Sequence, residues 1–399
     1  MKRLILFAAL AAMALPAGAA KRVTVAQLEQ ALAALGASHK ADAEMARQIG
    51  GMEPTERITE LALARLEAHL APGSKAAQAV KLLADQSAFL DPPGSELPAA
   101  AAPDDAGQQK MLAQARNYVL QTLPRLPNFL ANRTINRYDD SPQAPKDGGW
   151  PVRVGLHRVD TSSREISVRD ERENQPPTQG AAVWQQQIGL ISGGEFGNTL
   201  GMILTDTLKG SVSWSHWEQA GATTQAVFRY AVPAAVSHFE VIGTFQRQAA
   251  IEGRATSTGG ARGTMGIGIQ QNYDPSRVSM VRVRPAYHGS LWLDPATGTI
   301  LRITMEAELK ESAPFRRAAI LVEYGSVQIG DALFTCPVRS VALSLAALGA
   351  PGGSEDAPTE WLNETLFTGY HRFASTTRIL DETPPPEPAL QPDADSKPK

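Results

Sequence analysis

The sequence has almost no cysteine: its 399 residues include only Cys336. An intramolecular disulfide is therefore excluded, and the fold must be stabilised by a conventional apolar core. An excess of charge of one sign is also lacking, because 38 Lys and Arg residues face 41 Asp and Glu residues, for a net charge of −3. This balance gives no electrostatic basis for binding nucleic acid.

Motifs that identify common enzymes are missing as well. The seven histidines form no H-x-H or H-E-x-x-H pair, and the chain has no G-x-S-x-G, G-x-G-x-x-G or P-loop sequence. Those motifs mark zinc sites, serine hydrolases and nucleotide-binding loops. The sequence therefore predicts no enzyme activity, no cofactor and no metal site.

The start of the chain has three parts. A basic beginning is followed by an apolar run over residues 4–15 and by small residues up to position 20. This order is typical of a secretory signal peptide, and the run is shorter than the roughly 20 residues of a membrane-spanning helix. We predict a signal peptide over residues 1–19, cleaved after Ala19 or Ala20. No cysteine lies there to carry a lipid, so the mature protein is predicted to be periplasmic or secreted, with no integral membrane segment.

Residues 24–90 are predicted to form a small bundle of four helices. Apolar residues recur there at helical spacing. Thr24 and Gln27 match a capping box at the start of the first helix. Thr55 and Ser74 are predicted to cap the third and fourth helices.

Two segments differ in composition from the rest of the chain. Residues 91–107 combine proline, alanine and acidic residues without apolar periodicity, which predicts an extended linker. Residues 382–399 are rich in proline and charge and are predicted to form a disordered tail.

Residues 108–381 are predicted to form the larger domain. Helices are expected over residues 108–122 and 195–207, and strands elsewhere. The predicted fold class is α+β: a small helical bundle, then a large, mostly antiparallel, curved sheet with helices covering one face. The clearest hairpins join 286–294 to 300–309 and 317–328 to 333–347, and further strands are predicted over 133–138, 152–159, 165–169, 183–190, 211–218, 225–232, 237–247 and 279–284.

Two local patterns fit either a site or a structural role. His216 and Glu218 lie two apart in a predicted strand, so they share a face and suit acid–base catalysis. Trp214 is expected on the same face, and a polar cluster on a sheet surface is the more common arrangement. The glycine-rich stretch 259–268 lacks the lysine of a phosphate-binding loop and is predicted to be a hairpin tip or bulge.

Six phrases within residues 107–380 carry a resemblance to known proteins. They are Leu126–Phe129 with Arg133–Thr134, Gly189–Ser192 with Gly194–Gly197, Phe228–Pro233, Gly289–Pro295, Tyr324–Gly325 with Ile329–Gly330, and Pro337–Ser340. Together they resemble a family of uncharacterised exported proteins of the acidobacterial type. The hairpin that begins at Gly289 is similar to the second half of the outer-membrane lipoprotein-sorting proteins of LolA/LolB type. That resemblance implies a half-barrel whose concave face, covered by helices, holds acyl chains.

The predicted ligand site is the concave face of this sheet. Strands near 211–247 and 286–345 are expected to present apolar side chains to it, with the 195–207 helix lying across. The predicted lining residues are Leu291, Leu293, Ile303, Met305, Ile320 and Val322 on strands, and Leu200 and Ile203 on the helix.

Three functions agree with this sequence, and the third in order is an enzyme with an unfamiliar site. The first is a non-enzymatic exported protein that binds an apolar ligand, such as a lipid or a lipoprotein acyl chain. The alternative is an envelope scaffold that docks a protein partner through its helical domain. A ligand-sized cavity favours the first, whereas a solidly packed core with apolar residues exposed on the helices favours the second.

Overall fold

The structure is a computed structural model. It describes residues 20–38, 40–143, 155–169, 172–174, 190, 193–246, 278–310, 315–346 and 358–372. Four predicted features lie wholly or mostly outside the described residues: the signal peptide, the strand over 183–190, of which only residue 190 is described, the glycine-rich stretch and the tail.

The described chain has an α+β fold, which confirms the predicted class at this level. Its helices are α1 (Val25–Ala37), α2 (Asp42–Gly50), α3 (Glu60–Glu67), α4 (Lys75–Ser87), α5 (Asp105–Thr122) and α6 (Asn198–Asp206). Its strands are β1 (Lys21–Val23), β2 (Met52–Pro54), β3 (Phe129–Asp139), β4 (His157–Arg169), β5 (Arg172–Asn174), β6 (Ser211–Ala220), β7 (Thr223–Val232), β8 (Val241–Gln246), β9 (Val278–Val283), β10 (Tyr287–Leu293), β11 (Ile300–Ala307), β12 (Phe315–Ile329), β13 (Ala332–Ala346) and β14 (Thr359–Arg372). Within the described ranges, no helix is both long and apolar enough to cross a membrane.

The ends of the first four helices follow from their capping residues. Thr24 and Gln27 form the predicted capping box of α1, and the Ser74 side chain caps α4. The predicted cap of α3 is wrong, because Thr59 fills that position. Thr55 instead extends the β1–β2 pair, where both its amide and its hydroxyl donate to the carbonyl of Val23.

Ten of the described strands form one open antiparallel sheet. Their order is β5-β4-β3-β14-β13-β12-β11-β10-β7-β6, so β5 and β6 are the edges of this described sheet. The predicted hairpins β10–β11 and β12–β13 are both present. The sequence predicts β8 among the strands of the ligand-binding face, but within the described residues it pairs with β9 in a separate two-stranded sheet.

Helices cover both faces of the large sheet. On the core face, which carries Leu291, Ile303 and Val322, α5 and α6 pack in one apolar cluster with the strands. On the opposite face, which we call the N-terminal face, Leu82 and Ala88 at α4 pack on Leu321 and neighbouring apolar residues. The expectation of helices on one face is therefore incomplete, because the N-terminal helices supply a second cover.

Polar contacts also join the N-terminal segment to the sheet. Asp85 on α4 accepts two hydrogen bonds from Arg339 on β13, at 2.7 and 2.6 Å. Within the predicted linker, the carbonyl of Ala101 accepts a hydrogen bond of 2.8 Å from the indole of Trp217 on β6. Residues on both sides of the predicted linker, and in it, thus contact the sheet.

The β10–β11 turn leaves no room for a side chain at Gly298. This residue has φ +74°, and an added Cβ would lie 2.5 Å from the carbonyl carbon of Gln114 on α5. We expect Gly298→Ala to lower the free energy of unfolding by about 2–3 kcal/mol, since backbone strain adds to the overlap. Gly221→Ala is the matched control: φ is +54° there, with nothing within 4 Å of the added Cβ. Urea denaturation measures both, and equal losses would show that the contact with α5 is unimportant.

Candidate functional site

The eight residues predicted to line a ligand cavity lie together on the core face. Each is buried, and all belong to the apolar cluster between the sheet and helices α5 and α6. The sequence thus predicted a shared apolar face that the structure contains. Their role as ligand contacts remains a prediction.

A small cavity lies beside this cluster, between α5, α6 and the strands. Its volume is about 20 Å³, and Tyr118, Glu195, Leu200, Ile300 and Tyr324 are among its lining residues. A cavity of this volume accommodates about one water molecule. An acyl chain does not fit there in the described conformation.

A much larger cleft lies on the N-terminal face. Its volume is about 390 Å³, within the range of about 300–1,000 Å³ that is typical of small-molecule sites. The segment 88–92, which follows α4, forms one wall, and strands β6, β7, β10 and β11 form the other. Its apolar lining residues include Phe89, Leu90, Pro92 and Trp292, and its polar ones include Arg57, Ser213, His216, Arg229 and His288.

A β-bulge in the edge strand β6 decides which side chains reach this cleft. Trp214 pairs with Phe228 but His216 pairs with Val227, so Ser215 is the extra residue of the bulge. Trp214 therefore packs on Phe228 at the core face, with ring centroids 5.3 Å apart. The prediction that Trp214 shares a face with His216 is wrong, because the bulge reverses the alternation at this point.

Beyond the bulge, His216 and Glu218 belong to a buried polar network. Arg57 donates through both terminal nitrogens to the Glu218 carboxylate, with Nη1 at 2.9 Å from Oε1. The indole of Trp292 donates to Glu218 Oε2 at 3.0 Å, and His216 Nε2 lies 3.2 Å from the same oxygen. The other ring nitrogen of His216, Nδ1, lies 2.8 Å from Ser215 Oγ.

The electrostatics of Glu218 follow from these contacts. Burial alone would raise the pKa of its carboxyl, but hydrogen bonds from His216, Arg57 and Trp292 and the charge of Arg57 hold that pKa well below its usual range. The carboxylate is therefore ionised across the physiological range. Perturbed ionisable groups in a cleft are typical of functional sites.

Two arginines stack on the ring of Trp292. The guanidinium of Arg57 lies 5.3 Å from the ring centroid and that of Arg302 lies 4.9 Å from it. Burial, together with the charge of Arg57, lowers the pKa of Arg302 to about 10. These contacts hold the indole in place, with its N–H directed at Glu218.

The depressed pKa of Glu218 makes stability depend on pH. In the unfolded chain this carboxyl titrates near 4.5, and in the folded protein it titrates lower, so the unfolded state binds a proton first as pH falls. We expect the free energy of unfolding to decrease as pH is lowered below about 4.5, and the decrease to be shallower in Glu218→Gln. Urea denaturation from pH 3 to 7 measures both slopes. Glu60→Gln, at an exposed position on α3, should keep the wild-type slope, and an identical slope in Glu218→Gln would contradict the prediction.

Part of this site is visible in the sequence. The spacing of His216 and Glu218 marks them as candidates, whereas Arg57 and Arg229 carry no signal because lone arginines are common on surfaces. Trp292 gave a weak one: it alternates with Leu291 and Leu293, on the polar side of its strand. Among the described residues, no group of three or more His, Cys, Asp or Glu side chains is placed to hold a metal ion.

Comparison with known proteins assigns no function to this site, so its function is inferred from the geometry. No family model, no curated protein and no solved structure matches the chain.

Proposed function

We propose that this is an exported ligand-binding protein whose site is the cleft on the N-terminal face. The observation that carries the proposal is the contrast in free volume, about 390 Å³ in the cleft against about 20 Å³ beside the core face. The cleft also has polar groups that converge on it from both walls. A largely preformed pocket with an apolar lining and a few polar groups is the usual form of a small-molecule site.

The lining of the cleft indicates the class of ligand. Phe89, Leu90 and Trp292 offer apolar surface to one part of a ligand. Arg229 offers a cation: it contacts Asp91, but 52% of its side chain and 76% of that of Asp91 are exposed. Because an exposed ion pair contributes little, a ligand oxygen can replace Asp91 at small cost. The proposed ligand is a small organic molecule with an apolar part and an anionic or carbonyl oxygen.

The same proposal includes several features that rest on the sequence. Export is supported by the basic, apolar and small segments at the start of the chain. The small N-terminal bundle is supported by the apolar cluster that α1, α3 and α4 share. The half-barrel of lipoprotein-sorting type is supported by the open antiparallel sheet with α5 and α6 on its core face. In that half-barrel, an acyl chain on the core face requires α6 to separate from the strands.

Partner docking through the helical segment has weaker support. Leu61 on α3 is half exposed. Singly exposed apolar residues are normal on soluble proteins, so this leucine does not define an interface.

Binding of anilinonaphthalene sulfonate (ANS) tests the proposed cleft, because this probe combines apolar rings with an anion. We expect saturable binding, weakened about five-fold or more, or about 1 kcal/mol, in Arg229→Met and in Phe89→Ala. Fluorescence titration measures the affinity. Leu333→Ala, at a residue 70% exposed outside the cleft, is the control for binding to the general surface. Wild-type affinity in both cleft variants would contradict the proposal.

A further inference from the structure

We propose that the cleft carries acyl-transfer chemistry, with Ser215 as nucleophile, His216 as general base and Glu218 as the positioning residue of His216. The inference rests on the proposed function in one respect, since it takes the cleft as the place where the ligand binds. It goes further in assigning a reaction, the hydrolysis of a small ester that has an apolar part.

The three side chains form a continuous chain of hydrogen bonds. Ser215 Oγ lies 2.8 Å from His216 Nδ1, and His216 Nε2 lies 3.2 Å from Glu218 Oε2. With its ring proton on Nε2, His216 donates to Glu218 and accepts from Ser215. This order of hydroxyl, imidazole and carboxylate activates a serine on many unrelated folds.

Glu218 is held more firmly than the other two members. It is 7% exposed and accepts hydrogen bonds from Arg57 and Trp292 as well as from His216. A fixed carboxylate of this kind selects one imidazole tautomer and stabilises the imidazolium that forms during proton transfer. The remaining ring nitrogen of His216 is thereby left for Ser215.

The bulge places Ser215 next to His216, which lines the cleft. Ser215 has no partner in the β6–β7 register, and its side chain is only partly buried. Bulges are over-represented beside active sites because they redirect a side chain. Among the described strands of the large sheet, β6 is an edge strand, and β7 is its one described neighbour. Backbone amides on the outer side of an edge strand can donate to an oxyanion.

The proposed reaction has two balanced steps. In the first, the proton of Ser215 Oγ passes to His216 Nδ1, Oγ bonds to the ester carbonyl carbon, and the leaving alcohol departs with that proton. In the second, water gives a proton to Nδ1 and attacks the acyl carbon, and the acid leaves as Oγ recovers the proton. No oxidant, reductant or metal enters either step.

Labelling by a fluorophosphonate probe, followed by peptide mass spectrometry, tests the assignment of Ser215. We expect an adduct on Ser215 in the wild-type protein, no adduct there in Ser215→Ala or His216→Asn, and an unchanged adduct in Ser326→Ala. Ser326 is the control, since it is an exposed serine on a strand of the same sheet and does not line the cleft. An unmodified Ser215, under conditions that fully label a reference serine hydrolase, would overturn the proposal.

Hydrolysis of p-nitrophenyl acetate provides the second test. We expect Ser215→Ala to lower kcat by about 100-fold or more and Glu218→Gln by about ten-fold or more at similar KM. Equal rates in wild type and Ser215→Ala would overturn the proposal even if Glu218→Gln fails to fold. ANS titration separates the two proposals. Normal ANS binding to the cleft, without labelling of Ser215, would contradict only the acyl-transfer proposal. Labelling of Ser215 without ANS binding would support the acyl-transfer proposal and contradict the proposal of an anionic ligand.

Discussion

Replacing Arg57 by methionine is expected to lower the free energy of unfolding by about 3–5 kcal/mol, the usual effect of breaking a buried ion pair. Arg57 is 1% exposed and donates to both carboxylate oxygens of Glu218. Without the guanidinium, Glu218 remains buried with its charge only partly compensated by Trp292 and His216. Urea denaturation measures the loss.

Two further variants make this result specific. Arg229→Met removes another arginine that pairs with a carboxylate at the same cleft, but the Arg229–Asp91 pair is exposed, so the expected loss is only about 0–1 kcal/mol. The double variant Arg57→Met with Glu218→Met removes both buried charges. Its loss should be smaller than that of Arg57→Met alone, since no unpaired charge remains. A loss below 1 kcal/mol in Arg57→Met would contradict the argument.

The Arg57–Glu218 pair links the architecture of the molecule to its cleft. Arg57 precedes α3, and its backbone amide donates to the carbonyl of Asp91 at 2.8 Å, which ties it to the segment 88–92. Glu218 lies on β6, next to the bulge. One ion pair therefore fixes the distance between the two walls of the cleft and orients His216. Stability and site geometry should change together when it is broken.

Local signals in the sequence predicted much of the fold. The capping box at Thr24 depends on residues three apart, and the β10–β11 hairpin depends on alternation and one turn, so both are readable from a short window. The cap of α3 was misplaced because Thr55 pairs with Val23 of β1, a contact between segments about thirty residues apart.

The second cover of the sheet has a signal in the sequence of β12. Residues 318–322 are apolar without interruption and buried on both faces of β12. A continuous apolar run of this kind indicates a strand that is buried on both faces, whereas an alternating run indicates a strand that is buried on one face. The N-terminal helices cover the second face of the sheet. The predicted linker after them instead favours a separate helical domain that does not contact the sheet.

The cleft depends on contacts that sequence patterns do not contain. Arg57 and Glu218 are 161 residues apart, and neither residue alone distinguishes a buried pair from a surface charge. The bulge at Ser215 shifts the alternation of β6 by one residue, and nothing in the local sequence marks it. Simple alternation therefore groups His216 with Trp214 and gives no indication of the hydrogen bond between His216 and Ser215.

Leu293→Ala is expected to lower the free energy of unfolding by about 2–5 kcal/mol, the range for deleting a buried leucine side chain. Leu293 is 0% exposed and belongs to the cluster between the sheet and helices α5 and α6. If that cluster is a packed core, the truncation removes apolar contacts and leaves a void. If it is a cavity that holds acyl chains, the truncation only enlarges existing space, and stability stays near the wild-type value.

Urea denaturation with and without added palmitate distinguishes these outcomes for Leu293→Ala. Leu333→Ala is the control, because the leucine there is 70% exposed and its loss should change the free energy of unfolding by less than about 0.5 kcal/mol. A packed core gives a large loss in Leu293→Ala alone and no response of the wild-type protein to palmitate. A loss of less than 1 kcal/mol in the free energy of unfolding of Leu293→Ala, together with stabilisation of the wild-type protein by palmitate, would support a ligand site on the core face. It would also place the acyl chain between α6 and the strands that carry Leu291 and Ile303.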